Sequence, residues 1–365
     1  MKLKRTGTVL AIAAVGTVLL ASCASNEGGS TSPSESASSD LSGTISGIGA
    51  SSQQSAQEAW VAAFQTANEG VTVNYDAQGS GGGRESFISG AADFAGSDRA
   101  FKAEELESST FAGCTPDTDI VELPAYVSPI AVIFNVEGVD ELNLSPATIA
   151  GIFNLSITTW DADEIAADNP GVDLPSTPIT AVHRADDSGT TENFTDYLNK
   201  TAPDVWTAEA DGVWPTKDGE GATGTSGVID AVTNGTGTIG YADASRAGDL
   251  GVAKVKVGDE FVGYSPEAAA AIVDASPEEE GRTEGDIAIE IDRTSDAAGV
   301  YPIVLVSYLI ACESYEDAAQ GELVKSYLSY VTSDEGQQVA AEAAGSAPIS
   351  SELSTQVATA IELIK

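Results

Sequence analysis

The chain has 365 residues, of which 16 are basic and 56 are acidic, and its formal net charge is −40. A surface of this charge repels the phosphate backbone of nucleic acids, so a nucleic acid partner is excluded. One histidine and isolated cysteines give no zinc-ligand spacing, and the acidic clusters lack the spaced loop of a calcium site. We therefore expect no metal and no cofactor.

The N-terminus has the features of an export signal. Basic residues precede an apolar run at 9–21, which is too short to span a membrane comfortably. Cys23 directly follows Leu-Ala-Ser, a pattern that resembles the bacterial lipobox, in which the cysteine is lipidated and becomes the first residue of the mature protein. We predict a lipoprotein signal peptide at 1–22, a lipid anchor on Cys23 and a flexible linker at 23–41, which is too polar to order itself.

Strand-like and helix-like segments alternate along the rest of the chain. The first ones are a strand at 44–49, a helix with apolar residues at 56, 59, 60, 63 and 64, a strand at 71–75, a glycine-rich loop at 79–83 that opens a short helix, and a strand at 92–96. The alternation continues through 130–134, 149–153, 179–182 and 239–241, and an apolar run at 303–311 precedes helices at 323–331 and near the C-terminus. This pattern predicts an α/β fold whose sheets are covered on both faces.

Two cysteines remain beyond the leader, Cys114 and Cys312. An exported protein permits disulfides, so these two can pair and tie distant parts of the sequence together. Two separate buried thiols are the alternative.

Four loops share one design, in which small hydroxyl or glycine residues lie between the end of a strand and the start of a helix. They are residues 49–52, 79–82, 96–98 and 184–190. In open α/β sheets, ligands bind outside the carboxyl ends of strands, where helix N-termini offer unpaired N–H groups. The last loop adds Arg184, whose rigid fork of donors suits an oxyanion. Together the loops predict a socket for a small anion.

The same loops resemble a known family, the phosphate-binding protein of the Pst-type phosphate ABC transporter. The motifs are Gly-x-Gly-Ala-Ser-Ser at 47–52, Gly-Ser-Gly-Gly at 79–82, Asp-Phe-Ala-Gly-Ser-Asp at 93–98 and Arg-Ala-Asp-Asp-Ser-Gly-Thr at 184–190. The segment at 149–161 and the pairs Trp214-Pro215 and Gly240-Tyr241 fit the same family. The likeness covers nearly all of residues 43–350, in order and without large gaps.

The resemblance implies a two-domain periplasmic-binding-protein fold, type II-like, with one phosphate in the cleft between the domains. It implies a first domain at 43–128 plus 303–365 and a second at 129–302. The residues that match the phosphate ligands of the family are Ser51, Ser52, Ser80, Asp98, Arg184, Ser188, Gly189 and Thr190. Asp186 matches the acid that pairs with the arginine. The family usually has Thr-Phe where this chain has Ser51-Ser52, so one wall of the site departs from the pattern.

The resemblance also implies a monomer outside the cytoplasm, held at the cell membrane by its lipid anchor, which delivers phosphate to a membrane permease and its ATPase. Asp98 gives this assignment a chemical reason. An ionised carboxylate can only accept hydrogen bonds, so it pairs with a protonated phosphate and repels a bare dianion such as sulfate. Arg84 and Arg99 follow the same motifs, but the sequence does not place their side chains.

Other functions stay open at this point. A binding protein for another tetrahedral oxyanion, sulfate or molybdate, would share the loops and the arginine but gains nothing from Asp98. A secreted phosphoester hydrolase would need His183 as its base, yet the Gly-x-Ser-x-Gly elbow is absent, so we expect no enzyme. An adhesin or signalling lipoprotein with a vestigial site is a third hypothesis.

Overall fold

The computed structural model describes residues 41–365. The predicted signal peptide at 1–22, the lipidation of Cys23 and nearly all of the linker at 23–41 lie outside the described residues. Within 41–365, no helix has both the length and the apolar character needed to cross a bilayer. The same residues contain no cluster of three or more His, Cys, Asp or Glu side chains suited to a metal ion.

Strands and helices alternate through most of the chain. The strands are β1 (Gly43–Gly49), β2 (Val71–Asp76), β3 (Phe94–Ser97), β4 (Ile120–Asn135), β5 (Leu142–Leu144), β6 (Thr180–Arg184), β7 (Glu220–Ala222), β8 (Thr238–Asp243), β9 (Gly251–Val257), β10 (Glu260–Val262) and β11 (Val304–Cys312). The helices are α1 (Gln54–Ala67), α2 (Ser80–Ile88), α3 (Ala103–Ser108), α4 (Pro146–Phe153), α5 (Asp163–Asp168), α6 (Gly189–Thr201), α7 (Gly224–Asn234), α8 (Pro266–Asp274), α9 (Ala318–Thr332), α10 (Asp334–Ala344) and α11 (Ser351–Ile361), with a short 3₁₀ turn at Ala244–Arg246.

One hydrogen-bonded path joins the main strands in the order β2-β1-β3-β11-β4-β8-β6-β7. The long strand β4 takes part twice, because residues 120–129 pair with β11 and residues 130–135 pair with β8. We call β2, β1, β3, β11 and residues 120–129 the first sheet, and residues 130–135, β8, β6 and β7 the second sheet. Strands β1, β2 and β3 run parallel, and so do β6, β7 and β8.

The change of partner in β4, between Pro129 and Ile130, lies next to the predicted domain boundary at 128/129. Strand β11 begins at Val304, next to the other predicted boundary. Residues of the predicted second domain nevertheless bond to the first sheet, since Gly285 and Ile287 both pair with the backbone of Glu122 in β4. The domain limits therefore stay a prediction.

A disulfide joins Cys114 to Cys312, the last residue of β11, with the Cα atoms 5.3 Å apart. The predicted pairing of these cysteines is confirmed. The bridge closes a sequence separation of 198 residues. The bridge fastens the segment before β4 to the first sheet. It also stabilises the fold, because a crosslink over a long loop restricts the unfolded chain.

Most predicted elements are present, with one difference in the glycine run. Residues 149–153, whose element type the sequence left open, belong to helix α4, which Ser145 caps by accepting a bond from the Thr148 N–H. The glycine run at 81–83 lies inside helix α2 rather than in a loop before it. A Cβ on Gly83 would stand 2.7 Å from the Gly49 Cα, and one on Gly81 would stand 2.2 Å from the Asp187 Cγ. These glycines are therefore required by close packing on both sides of the helix.

Candidate functional site

Three of the predicted loops meet at the carboxyl ends of the first-sheet strands. Ser52 follows β1, Ser80 opens α2, and Asp98 follows β3, and all three are buried. The Ser52 hydroxyl donates to Asp98 Oδ1 at 2.6 Å, and the Asp98 backbone N–H donates to Ser80 Oγ at 3.0 Å. Parallel strands bring these loops to one edge of the sheet, so residues distant in sequence form one bonded cluster.

Asp98 is the centre of this cluster. Its Oδ1 accepts a second bond from the Ser307 hydroxyl at 2.6 Å, and its Oδ2 accepts one from the Thr190 hydroxyl at 3.0 Å. Burial raises the pKa of Asp98, whereas the Ser307, Ser52 and Thr190 bonds and the charge of Arg184 oppose that rise. The carboxylate therefore has three hydroxyl donors that favour its ionised form.

Arg184 ends strand β6 on the second-sheet side, and its guanidinium is almost fully buried. Its Nε donates to Asp186 Oδ1 at 2.8 Å, and its Nη2 pairs with Asp186 Oδ2. The Gly224 N–H also donates to Asp186 Oδ1, at 3.0 Å. Although burial alone raises the pKa of Asp186, its bonds to Arg184 hold that pKa below the usual value. The guanidinium is thus held in one orientation, in which the bonds to Asp186 use Nε and Nη2 and leave Nη1 for another partner.

Helix α6 begins directly after the Arg184 loop, and its N-terminus lies against the Asp98 cluster. Ser188 caps this helix by accepting a bond from the Thr191 N–H at 3.2 Å. Gly189 is the first helical residue, and a Cβ on it would lie 2.5 Å from Ser80 Oγ and 2.6 Å from the Asp98 Cβ. The opening turn of a helix carries unpaired N–H groups and a positive partial charge. Both sides of the site therefore meet at Gly189.

Gly189→Ala is expected to weaken anion binding, because the new methyl would push α6 away from Ser80 and Asp98. Overpacking of this kind costs about 1–3 kcal/mol. Isothermal titration calorimetry with phosphate measures the loss. Gly227→Ala is the matched control, since a Cβ there meets nothing closer than 3.6 Å. Equal affinities for the two variants would contradict the close approach at Gly189.

Ser51 lies at the same edge but has a partner that the sequence did not predict. Its Oγ accepts a bond from the Thr225 N–H at 3.1 Å and lies 3.0 Å from the Thr225 hydroxyl. Thr225 belongs to the first turn of α7, which the small-residue run Gly-Thr-Ser-Gly at 224–227 opens. That run has the design of the four predicted loops, so the signal was present in the sequence.

The two arginines that the sequence left unplaced differ in position. Arg84 is buried, donates to Ser97 Oγ at 2.9 Å and reaches within 3.7 Å of Asp187 Oδ1 on the second-sheet side. Arg99 instead forms ion pairs with Glu105 and Glu192, at 2.5 and 2.7 Å. Both arginines thus join the first-sheet loops to the segment around α6, through partners other than the Asp98 carboxylate.

The histidine that a hydrolase would need has other contacts. The His183 ring stacks on Trp214 with centroids 4.7 Å apart, and its Nδ1 lies 2.9 Å from the Arg184 carbonyl oxygen. Ser188 Oγ accepts the capping bond of α6. The contacts of His183 are thus to Trp214 and the Arg184 carbonyl, and not to Ser188.

The chain is similar to known binding proteins over most of its length. Residues 34–335 match the family model of the PBP superfamily domain. The phosphate-binding protein PstS 2 of Mycobacterium tuberculosis is 32% identical over 383 residues, which cover 100% of both chains. The phosphate-binding protein PstS 3 of the same organism is 33% identical over 377 residues, again over 100% of both chains.

Solved structures show the same fold. A high-affinity periplasmic phosphate-binding protein (PfluDING) bound with phosphate superposes with a TM-score of 0.69 at 24% identity, over 87% of this chain and 93% of that one. A putative phosphate ABC transporter substrate-binding protein from Clostridium perfringens gives 0.59 at 21% identity, over 83% and 98%. These likenesses confirm the predicted two-domain α/β fold.

Proposed function

The chain belongs to the PBP superfamily and to its PstS-type phosphate-binding proteins, and from this membership we propose how it works. It binds inorganic phosphate outside the cytoplasm and delivers it to a phosphate ABC transporter. Two domains close on the anion, one carrying the loops of the first sheet and the other carrying Arg184 and helix α6. The domains comprise residues 43–128 with 303–365, and residues 129–302.

The observation that carries this proposal is the meeting of Asp98 with the N-terminus of α6. A carboxylate beside an anion socket is repulsive unless the anion brings a proton, and phosphate near neutral pH has one. Arg184 and the α6 N–H groups supply the attraction, whereas Asp98 accepts the proton in a hydrogen bond. The site thus favours phosphate over sulfate because the wrong anion leaves buried polar groups unpaired.

In this proposal, Ser51, Ser52, Ser80, Asp98, Arg184, Ser188, Gly189 and Thr190 hold the phosphate, and Asp186 orients the arginine. Ser51 and Ser52 replace the Thr-Phe of the family, so a hydroxyl bonded to Asp98 stands where an aromatic side chain would line the wall. We further propose that the protein is a monomer without catalytic activity, held at the membrane by a lipid on Cys23, and that it contacts the permease subunits of the transporter.

Equilibrium dialysis of the folded chain with radiolabelled phosphate tests the proposal. We expect one phosphate retained per chain, displaced by cold phosphate and not by an equal concentration of sulfate or molybdate. A chromogenic phosphoester in a parallel assay should show no turnover. Failure to retain phosphate, or hydrolysis of the ester, would overturn the proposed function.

A further inference from the structure

A chain of buried hydrogen bonds leads from helix α9 to Asp98. The Tyr327 hydroxyl donates to Gln57 Oε1 at 2.7 Å, and Gln57 Nε2 donates to Gln53 Oε1 at 2.9 Å. Gln53 Nε2 donates to Ser307 Oγ at 2.6 Å, and the Ser307 hydroxyl donates to Asp98 Oδ1 at 2.6 Å. Each of these side chains is at most 3% exposed. The chain therefore runs through the interior of the first-sheet side.

The direction of hydrogen-bond donation along this series is fixed at both ends. Gln53 Nε2 also lies 3.2 Å from the Tyr308 carbonyl oxygen, which can only accept, so the amide nitrogen of Gln53 must face Ser307. At the other end, an ionised Asp98 can only accept. Ser307 thus receives a hydrogen bond from Gln53 and has its own proton left for Asp98. It has no alternative orientation that keeps both bonds.

These bonds determine how many hydrogen-bond acceptor positions of Asp98 remain for a ligand. A carboxylate oxygen has two lone-pair positions, and Oδ1 gives both of its own to Ser52 and Ser307. Thr190 takes one position on Oδ2, at 3.0 Å. A single position on Oδ2 is left for a ligand, and a proton added to Oδ1 would break one of its two bonds.

We propose that Ser307, oriented by Gln53, is a specificity-determining positioning residue, which keeps Asp98 an ionised acceptor and so limits the site to anions that carry a proton. This inference rests on the proposed function. Ser307 acts through Asp98 rather than on the ligand. Burial raises the pKa of Asp98, and its hydroxyl donors oppose that rise in part, with Ser307 contributing most among them.

Other groups that face Asp98 define the background for a pH experiment. Arg184, on β6, favours the ionised carboxylate. Burial raises the pKa of Asp243, the last residue of β8, to about 6, against hydrogen bonds from Ser245 and Ser128. Burial raises the pKa of Tyr75, on β2, so far that Tyr75 stays neutral. Asp243 is therefore the neighbour that titrates in the useful range.

The remaining partners of Asp98 are uncharged. They are Ser52, Ser80, Thr190, Asn193 and Ser307. Two further cations stand behind them, since Arg84 bonds to Ser97 and Arg293 bonds to Asn193. Neither cation changes its charge near neutral pH.

Sulfate is the probe, because its charge does not change between about pH 5 and pH 8, so any pH dependence of its binding comes from the protein. Sulfate has no proton to offer, and we expect it to bind much more tightly when Asp98 itself is protonated. Its affinity should therefore rise as the pH falls through the pKa of Asp98. In Ser307→Ala this onset should move upward by about one to two pH units, because the ionised carboxylate loses a donor.

Matched variants separate this role from a structural one. Tyr327→Phe removes the first donor of the hydrogen-bond series and should move the onset of sulfate binding upward by less than Ser307→Ala. Tyr330→Phe, on the same helix, is the control, since the Tyr330 hydroxyl is buried without a hydrogen-bond partner among the described residues. Gln53→Met frees the Ser307 hydroxyl to turn away and should act in the same direction. The effect of Ser307→Ala should persist in an Asp243→Asn background.

Calorimetry of each variant with phosphate at mildly alkaline pH shows that it is folded and competent. If the parent protein does not bind phosphate, the proposed function fails. If the parent binds phosphate and Ser307→Ala and Gln53→Met keep the parental onset for sulfate, the role of Ser307 fails while the function stands. The role of Ser307 would also fail if Tyr330→Phe moved the sulfate onset as far as Ser307→Ala does. It would fail as well if Ser307→Ala no longer moved the onset in the Asp243→Asn background.

Discussion

Arg184→Ala is expected to weaken phosphate and sulfate binding alike, by about 2–4 kcal/mol, which is roughly thirtyfold to a thousandfold. The guanidinium is buried and bonded through two nitrogens to Asp186. Its loss removes the positive charge that Arg184, the last residue of β6, brings to this cluster. It also leaves Asp186 with an unpaired charge beside the anion. Calorimetry with both anions measures the change.

Arg246→Ala is the control for the arginine, since it removes the same charge from a partly exposed 3₁₀ turn. Because Arg246 is partly exposed, water and salt weaken the interactions of its charge, so its effect on phosphate affinity should be smaller than that of Arg184→Ala. If Arg184→Ala changed the phosphate affinity no more than Arg246→Ala, Arg184 would lie outside the site.

Asp98→Asn should change the choice between anions more than it changes phosphate affinity. We expect the ratio of phosphate to sulfate affinity to fall by roughly a hundredfold, since a hydrogen bond to a charged partner is worth about 1.5–3 kcal/mol. The contacts of Asp98 fix the orientation of the new amide. Ser52 and Ser307 both donate to Oδ1, so the amide oxygen takes that place and the nitrogen faces the side of Oδ2. Sulfate then meets a donor instead of an acceptor.

Asp187→Asn is the matched control for this second variant. It removes the same charge from an aspartate that pairs with Arg84 at 3.7 Å, whereas the hydroxyls of Ser52, Ser307 and Thr190 donate to Asp98. Both anions should respond to that loss equally, which leaves the ratio unchanged. A ratio in Asp98→Asn equal to that of Asp187→Asn would refute the role given to the carboxylate.

Local patterns predicted much of the fold and of the candidate site. The apolar spacing of α1, the small residues after β1 and β3, and the arginine at the end of β6 are all signals within one or two turns of chain. The structure brings Ser52, Ser80, Asp98 and Thr190 into one bonded cluster, as the motifs implied. Their contact with phosphate stays a prediction.

The rest depended on contacts between distant segments. Ser307 is a small polar residue within an apolar run, and its meaning appears only when β11 is paired between β3 and β4. Thr225 became a partner of Ser51 through the approach of α7, 174 residues away. Residues 149–153 have an apolar composition that suits a strand or a buried helix, and the cap at Ser145 decides for the helix.

The most direct test of the central claim is the affinity of the parent protein for phosphate and for sulfate at mildly alkaline pH. Under that condition both anions carry two negative charges, and they differ in the single proton that phosphate keeps. We predict that phosphate binds one site at least a thousandfold more tightly than sulfate, about 4 kcal/mol. Equal affinities would show that Asp98 does not select the protonated anion and would contradict the account.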